Sequence, residues 1–529
     1  MERMKPKAVF MAFGTKGDVY PLSAIAAAFA CEQKQYEVIL VTHSAHQSLS
    51  SHLAEKHVEY CPVSSPPVLS ADQNNDLEGL NCQLGKEDLS FSLQKKKITQ
   101  DHRQECYSLI ERIFGDGPTL DDIDINKFKQ EVKCMVIEEL YLMLQEGWSL
   151  AESFCVHCVV AAPYVVPYSA PATFESQFER ELPLLSKYLT GAPSGKESAV
   201  VYDWEIDVIH WMWPLFTENW GSWRNDNLHL SSCPFTDPVT GIPTWHRRPQ
   251  SPLVMYGFSK EVVECPAYWP LKVRVCGFWF PPIEWQFTCK RCKEISVCCS
   301  SGGQYATDDL CLSHLELHNF IKTNPVFVGL SSIGSMGFLK DPHAFVSVLQ
   351  TVLNTTRYRF ILFTAGYEPL ESIVRKLAVE ESSDQKKWNE DCVPLFNGQL
   401  FCFFGSLPYT WLFKQCAAVI HHGGSGTTAA ALQAGTPQVV CPFMLDQFYW
   451  AERMHWLGVS PEPLSRNHLV PDKNDETSIQ EAAQVLSKAI HDALSSRVKA
   501  RAAEISRRIS LEDGVSEAIK CLKEELGIN

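Results

Sequence analysis

The feature that most constrains this chain is a set of short runs that are apolar throughout, not at every second residue. The first is Lys7-Ala-Val-Phe-Met-Ala-Phe13. A strand with one wet face alternates. A run without alternation therefore predicts a strand buried on both faces, as in a parallel sheet covered by helices. The run passes into the turn Gly14-Thr-Lys-Gly-Asp-Val-Tyr-Pro21 and an Ala-rich stretch, Leu22 to Glu32, that reads as helix. Tyr36-Glu-Val-Ile-Leu-Val-Thr42 is the next predicted strand. One strand–helix–strand unit at the start points to a doubly wound α/β sheet. Phe154 to Tyr164 reads as a further core strand. From Asn324 the pattern resumes, with Pro325–Leu330, Tyr358–Phe363, Leu400–Phe404, Ala417–Ile420 and Pro437–Cys441 as short strands, and Ala429–Ala434 as the clearest helix between them.

At 529 residues the chain is too long for one ordinary core. The two runs of alternation predict a bilobal α/β protein of two Rossmann-like, doubly wound domains facing a central cleft. The expected divisions are a first Rossmann-like domain over 1–280, a Cys-rich insertion or linker over 281–323, a second Rossmann-like domain over 324–475 and a helical segment over 476–529. Residues 65–130 are polar without clean periodicity and read as loops and amphipathic helices. Residues 200–250 are crowded with aromatics, Trp204, Trp211, Trp213, Trp220, Trp223 and Trp245 among them.

A 45% hydrophobic and 21% charged composition is that of a globular protein. The formal net charge of −15 argues against a nucleic-acid partner gripped by phosphate neutralisation. A phosphate-bearing ligand must then be held by backbone amides, helix ends and a few side chains. The 20 cysteines mostly stand singly in apolar runs, as at Cys31, Cys276, Cys402 and Cys441, which reads as free thiols in a reducing compartment. No run is long enough to cross a bilayer, and Ala8–Phe13 is too short for a signal peptide. The expectation is a cytoplasmic protein with at most peripheral membrane contact.

The strand Ala417–Ile420 runs into His421-His-Gly-Gly-Ser-Gly-Thr-Thr428 and an Ala-rich helix. Glycines let backbone approach an anion closely, and a helix N-terminus aims free N–H groups and partial positive charge at it. Ser425, Thr427 and Thr428 offer hydroxyls to the anion or to the helix cap. The spacing of Gly423, Gly424 and Gly426 fits neither a Walker loop nor a dinucleotide fingerprint. Next along the chain, Gly435-Thr-Pro-Gln-Val-Val-Cys-Pro-Phe-Met-Leu-Asp-Gln447 ends in a polar pair, Asp446 and Gln447, suited to sugar hydroxyls or to another cap.

The run from Val419 to Trp450 resembles the donor-binding signature of UDP-sugar-dependent glycosyltransferases of GT-B fold. Within them it is most similar to the sterol 3-beta-glucosyltransferase branch, where a doubled His precedes Gly-Gly-x-Gly-Thr-Thr. The likeness extends to Gly14–Pro21, Cys233-Pro-Phe-Thr-Asp-Pro238, Cys276-Gly-Phe-Trp-Phe280, Gly329-Leu-Ser-Ser-Ile333 and Gly405-Ser-Leu-Pro408. The resemblance implies that His421 or His422, with Gly424, Ser425, Gly426 and Thr427, faces a diphosphate. It places Ser332 near the phosphates, Asp446 and Gln447 at the sugar, and Ser406-Leu407 beside the base, with backbone groups reading uracil. Gly14 and Thr15 join the donor contacts. Two positions depart from the branch: Tyr409-Thr410 stands where it carries an acidic or polar residue before Trp411, and Ser331 stands where it more often has Gly.

Inverting transfer needs a base for the acceptor hydroxyl. Many relatives use a His after the first strand, and this chain has none in that turn. Asp18 is its only carboxylate and matches the acidic residue of the Gly-x-x-Gly-Asp-Val pattern. A helix-capping role for Asp18 stands beside the catalytic one. The implied reaction moves a hexose, glucose in the branch, from UDP to a sterol or other lipophilic alcohol without a catalytic cofactor. A UDP-sugar epimerase of the same fold and a donor-binding protein without catalysis are the rival readings. The aromatics from Trp204 to Trp223 read as an acceptor pocket or as core packing.

Cys289-Lys-Arg-Cys292, Cys298-Cys299 and Cys311-Leu-Ser-His314 have the spacing of a structural zinc site, with Cys289, Cys292, Cys311 and His314 the simplest set. Free thiols and a redox pair are the alternatives. The family resemblance does not imply this cluster.

Overall fold

A computed structural model of the chain describes residues 5–67, 86–114, 134–138, 144–163, 223–230, 253–263, 272–300, 310–381, 391–444 and 446–528. The chain divides into two compact units, residues 1–280 with 512–529, and residues 281–511.

The first unit is built on a seven-stranded sheet: β1 (Lys7–Met11), β2 (Glu37–His43), β3 (Val58–Val63), β4 (Cys134–Glu138), β5 (His157–Ala162), β6 (Leu253–Tyr256) and β7 (Val273–Val275). Its order is β3-β2-β1-β4-β5-β6-β7. Every pairing is parallel. β1 lies between β2 and β4, and Ala8 to Met11 are buried, as their unbroken apolar run demands. The helix Lys16–Glu32 follows β1 at once and begins on a capping box at Thr15. The final helix, Gly514–Leu526, returns to this unit and packs against Lys16–Glu32.

The second unit carries a six-stranded sheet: β8 (Val326–Gly329), β9 (Phe360–Phe363), β10 (Cys392–Leu395), β11 (Leu400–Phe403), β12 (Ala418–His421) and β13 (Gln438–Val440), in the order β10-β11-β9-β8-β12-β13. Only β10 runs antiparallel. Register aligns Phe403, Phe363, Gly329, His421 and Val440 in one row across five strands. The turns after β8, β11, β12 and β13 therefore all leave the same edge of the sheet, where ligands of open parallel sheets bind.

Three features of the fold were not read from the sequence. The segment 476–529 is not one helical body: Glu476–Ala493 and Ser496–Ile509 belong to the second unit and Gly514–Leu526 to the first. Residues 281–323, expected as an insertion or linker, cluster with the second unit. β10 went unread because Pro394 interrupts it, and Pro is tolerated there because the strand lies at the sheet's edge. Of the aromatic run, Trp223 is buried, with the Arg103 guanidinium 5.2 Å from its ring centroid. Trp204, Trp211, Trp213, Trp220, Trp245 and the Cys233–Pro238 motif lie outside the described residues.

Two backbone positions carry measurable consequences. A Cβ on Gly514 would lie 2.3 Å from the Phe278 carbonyl oxygen and 2.7 Å from Gly277 backbone, so the returning helix seats on backbone that cannot step aside. Gly514→Ala is expected to destabilise the first unit by ~1–3 kcal/mol in denaturant unfolding; an unchanged midpoint would mean the helix does not seat there. Ser331 sits at φ 50°, a left-handed conformation that favours glycine. Ser331→Gly should stabilise the protein by about 1 kcal/mol, read in the same way; a loss of stability would contradict the strain.

Candidate functional site

The turn after β12 is fixed by a buried imidazole. His421 is fully buried; its Nε2 lies 2.8 Å from Gln438 Oε1, and its Nδ1 accepts the Gly423 N–H at 3.1 Å. With Nδ1 accepting, Nε2 carries the proton and donates to Gln438. Burial, partly offset by Gln438, lowers the His421 pKa to about 4, so the ring is neutral. Both nitrogens are used in shaping the turn, which leaves His421 no free ring nitrogen for a ligand. His422 is the member of the pair with capacity to spare: its Nδ1 is buried without a hydrogen-bond partner. Burial and then His421 lower its pKa to about 3.

Gly423 has φ 90°, and a Cβ there would meet the Gln447 carbonyl oxygen at 3.0 Å. This glycine lets the turn lie against the start of the helix Asp446–Trp456. Gly424 is the N-cap of the helix Ser425–Ala434 and supplies no side-chain cap. The first-turn amides of that helix keep their anion-binding character. Ser425 is half-buried, Gly426 exposed and Thr427 buried. The Thr428 hydroxyl bonds back to the Gly424 carbonyl at 3.0 Å, which takes it out of ligand contact.

The neighbouring turns carry the other expected residues. Ser332 is half-buried in the single 3₁₀ turn Ser331–Ile333 after β8. Gln447 Oε1 accepts the N–H groups of Phe443 at 2.9 Å and Met444 at 3.2 Å, which leaves its NH₂ as the donor end. Asp446 is half-buried in the first turn of its helix. The Ser406 backbone is engaged within the protein: Thr288 Oγ1 accepts its N–H at 3.0 Å, and its carbonyl accepts the Thr288 N–H at 3.3 Å. Leu407 is buried in the apolar cluster around Phe401 and Phe413. The Ser406 N–H is thus engaged by Thr288, and the other backbone groups of Gly405–Pro408 remain for the base-bordering role that the resemblance implies. Tyr409, at the first departure from the branch, stacks on Phe413 at 4.8 Å between centroids and belongs to the core; burial pushes its hydroxyl up to about 12.

Gly14, Thr15 and Asp18 share one turn of the first unit. Asp18 Oδ2 accepts the Thr15 N–H at 2.6 Å and the Thr15 hydroxyl at 2.8 Å. Thr15 Oγ1 in turn accepts the Gly17 N–H at 3.3 Å. Asp18 is thus the acidic partner of a capping box, and the polar groups of Thr15 are spent in it. Burial nevertheless outweighs these hydrogen bonds and raises the Asp18 carboxyl to about 6. The turn also gains histidines from elsewhere. His46 Nε2 lies 2.9 Å from the Gly14 carbonyl oxygen. His43 Nδ1 lies 3.1 Å from Ser65 Oγ, which lies 2.7 Å from His102 Nδ1. Burial lowers His43 to about 3 and His102 to about 4, so this chain of groups is neutral. The β1–β2 register was the signal: Met11 pairs with Val41, which brings His43, two residues on, beside Phe13.

In the second unit, Cys289, Cys292, Cys311 and His314 converge, with all four ligand atoms within 4.8 Å of one another. Cys289 Sγ to Cys311 Sγ is 3.7 Å, and His314 Nδ1 is 3.2 Å from Cys311 Sγ and 3.5 Å from Cys292 Sγ. A zinc tetrahedron places its sulfurs about 3.8 Å apart. The Cys311 N–H points at Cys292 Sγ at 3.4 Å, and His314 Nε2 faces the Asp391 carboxylate at 3.5 Å, the outer partner typical of a metal-binding imidazole. Burial alone would raise the Cys311 thiol, but hydrogen bonds from His314, Cys292 and Cys289 bring it down to about 7. This Cys₃His set could hold a metal. The side chains of Cys298 and Cys299 lie outside the description.

Residues 402–507 match the family described as erythromycin biosynthesis protein CIII-like, C-terminal domain. The chain is 23% identical to a sterol 3-beta-glucosyltransferase of Arabidopsis thaliana over 98% of its own length and 68% of the relative's. A second Arabidopsis sterol 3-beta-glucosyltransferase is 31% identical over 38% of the chain and 26% of the relative, and one from Yarrowia lipolytica is 28% identical over 58% and 17%. The chain thus spans only a minor part of these two. Among solved structures, the calicheamicin glycosyltransferase CalG4 superposes with a TM-score of 0.53 at 14% identity, covering 99% of both chains. The glycotransferase of kitacinnamycin gives 0.52 at 13% identity, with the same coverage. Two doubly wound units in sequence and these likenesses give the chain the GT-B glycosyltransferase fold, with sterol 3-beta-glucosyltransferases among its relatives.

Proposed function

We propose that the chain is an inverting UDP-glycosyltransferase that moves a hexose, glucose, from a UDP-sugar to the hydroxyl of a sterol or another lipophilic alcohol. The observation that carries the reading is the row of turns leaving one edge of the second sheet. There an uncapped helix N-terminus at Gly424 adjoins Gln447, in a chain similar along 98% of its length to a sterol 3-beta-glucosyltransferase. The amides of Gly424, Ser425, Gly426 and Thr427, with His422, take the diphosphate; Ser332 lies near the phosphates, and Asp446 with the Gln447 amide takes the sugar. The base lies beside the Gly405–Pro408 turn. Gly14 remains on the acceptor side with Asp18.

In the reaction Asp18 accepts the proton of the acceptor hydroxyl as its oxygen bonds to the anomeric carbon. The bond from that carbon to the diphosphate oxygen breaks, its electron pair leaves with UDP, and the configuration inverts. The helix N-terminus stabilises the charge that develops on the leaving diphosphate. No cofactor takes part in the chemistry. Thr15 holds one carboxylate oxygen and leaves the other for the acceptor. Among the described residues no helix is long and apolar enough to cross a membrane; a lipophilic acceptor calls for peripheral membrane contact from the cytoplasmic side. Cys289, Cys292, Cys311 and His314 hold a structural zinc ion in this reading.

The test is transfer of labelled glucose from UDP-glucose to a panel of sterols. Asp18→Asn keeps an acceptor oxygen for the Thr15 N–H, so the turn survives while the base is lost. Transfer should fall ~10²–10⁴-fold with UDP affinity nearly unchanged, and retained turnover would remove Asp18 from the mechanism. A base raised to about 6 must be ionised to act, so wild-type kcat/KM should climb as pH rises through about 6 and level off above it. A rate independent of pH there would contradict the assignment. At the donor site, a Cβ on Gly424 would lie 2.4 Å from His422 Nε2. Gly424→Ala should therefore weaken UDP binding in titration calorimetry with the far-UV spectrum unchanged; wild-type affinity would place the diphosphate elsewhere.

A further inference from the structure

We infer that the Cys₃His site is a positioning device for donor binding: it holds the Gly405–Pro408 turn, through Thr288 and Asp391, in the shape that receives the nucleotide base. The inference rests on the UDP-sugar reading and the zinc assignment above. Four ligands come in two arms, Cys289 and Cys292 on one, Cys311 and His314 on the other. Each arm reaches the exit of β11. Thr288 directly precedes Cys289 and accepts the Ser406 N–H, while its own N–H and hydroxyl both donate to the Ser406 carbonyl, at 3.3 and 3.4 Å. On the other arm, His314 Nε2 faces the Asp391 carboxylate, and the Asp391 carbonyl accepts the Phe404 N–H at 2.9 Å. The His314 ring meets Phe403 edge-on at 5.8 Å.

The two arms thus grip residues 403, 404 and 406 around Gly405. That glycine has no room for a side chain: a Cβ would lie 2.6 Å from the Phe403 ring and 3.0 Å from Thr288 Oγ1. A zinc ion bound by both arms fixes their separation, and with it the two sides of the turn. A merely local fold-stapling role would not require both arms to end on the same four-residue exit, which belongs to the edge that carries the phosphate turn.

The experiment uses the full chain, with zinc content measured by plasma mass spectrometry and UDP affinity by titration calorimetry. Wild-type protein should hold one zinc per chain, and chelation should weaken UDP binding while thermal unfolding stays cooperative. Thr288→Val should keep its zinc yet bind UDP roughly three- to tenfold more weakly, raising KM for the UDP-sugar with kcat preserved, and Thr288→Ser should restore affinity. Chelating the Val variant should add less loss than it does in the wild type, since both act through one connection. A zinc-loaded protein whose UDP affinity is indifferent both to Thr288→Val and to chelation overturns the inference. Protein that takes up no zinc overturns the metal assignment, and zinc-loaded protein that binds no UDP overturns the donor reading; each of these removes the inference too.

Discussion

For the proposed diphosphate, so acidic a chain has to find its positive charge in the backbone. With a formal net charge of −15 and two neutral histidines in the turn, the charge at the second sheet's edge is that of oriented amides at a helix start. Such charge falls off within one helical turn, so it acts only on an anion that touches the backbone. Everything else at the edge follows from that short range. Gly423 and Gly424 strip the approach of side chains, and Gly423 at φ 90° bends the chain back against Gln447. Buried His421 locks the bend from beneath through Gln438 on β13. A protonated His421 would lose the acceptor that holds the Gly423 N–H, so its neutrality is a structural requirement of the turn.

The parallel strands were readable because burial on both faces leaves a local mark, an apolar run such as Phe360 to Phe363 or Leu400 to Phe403. β10 left no such mark, because its place at the sheet edge removes the demand that a proline-free, uniformly apolar run would satisfy. The glycine turn was legible for the same local reason: strand, glycines and helix are contiguous. What was not legible depended on distant residues. Nothing near His43, His46 or His102 in sequence says that they meet Phe13, Gly14 and Ser65; the tertiary fold does that. Nothing near Ser406 says that Thr288, 118 residues earlier, occupies its backbone.

That last case shows how a family likeness points to a turn without saying which of its atoms are already engaged within the protein. The resemblance led to Ser406 and Leu407 as groups beside the base, yet one has its N–H bonded internally and the other its side chain in the core. In the proposed donor site their contribution is the position of the turn. Its contact surface must come from atoms that the turn carries outward. The same distinction divides His421 from His422: one sets the backbone, and the other retains an unpartnered nitrogen.

In the proposed mechanism Asp18 brings the two roles together in one side chain. Capping hydrogen bonds ordinarily favour the carboxylate and lower its pKa. Here Thr15 donates to a single oxygen, while burial acts on the whole group and dominates, leaving the carboxyl near 6. A fully satisfied cap would be too weak a base, and an unheld carboxylate would lack direction. Holding one oxygen by the cap fixes the plane of the group, and burial then keeps its basicity close to neutral pH. The cap and the base are thus compatible readings of Asp18, because the hydrogen bonds that make it a cap are the ones that would aim it.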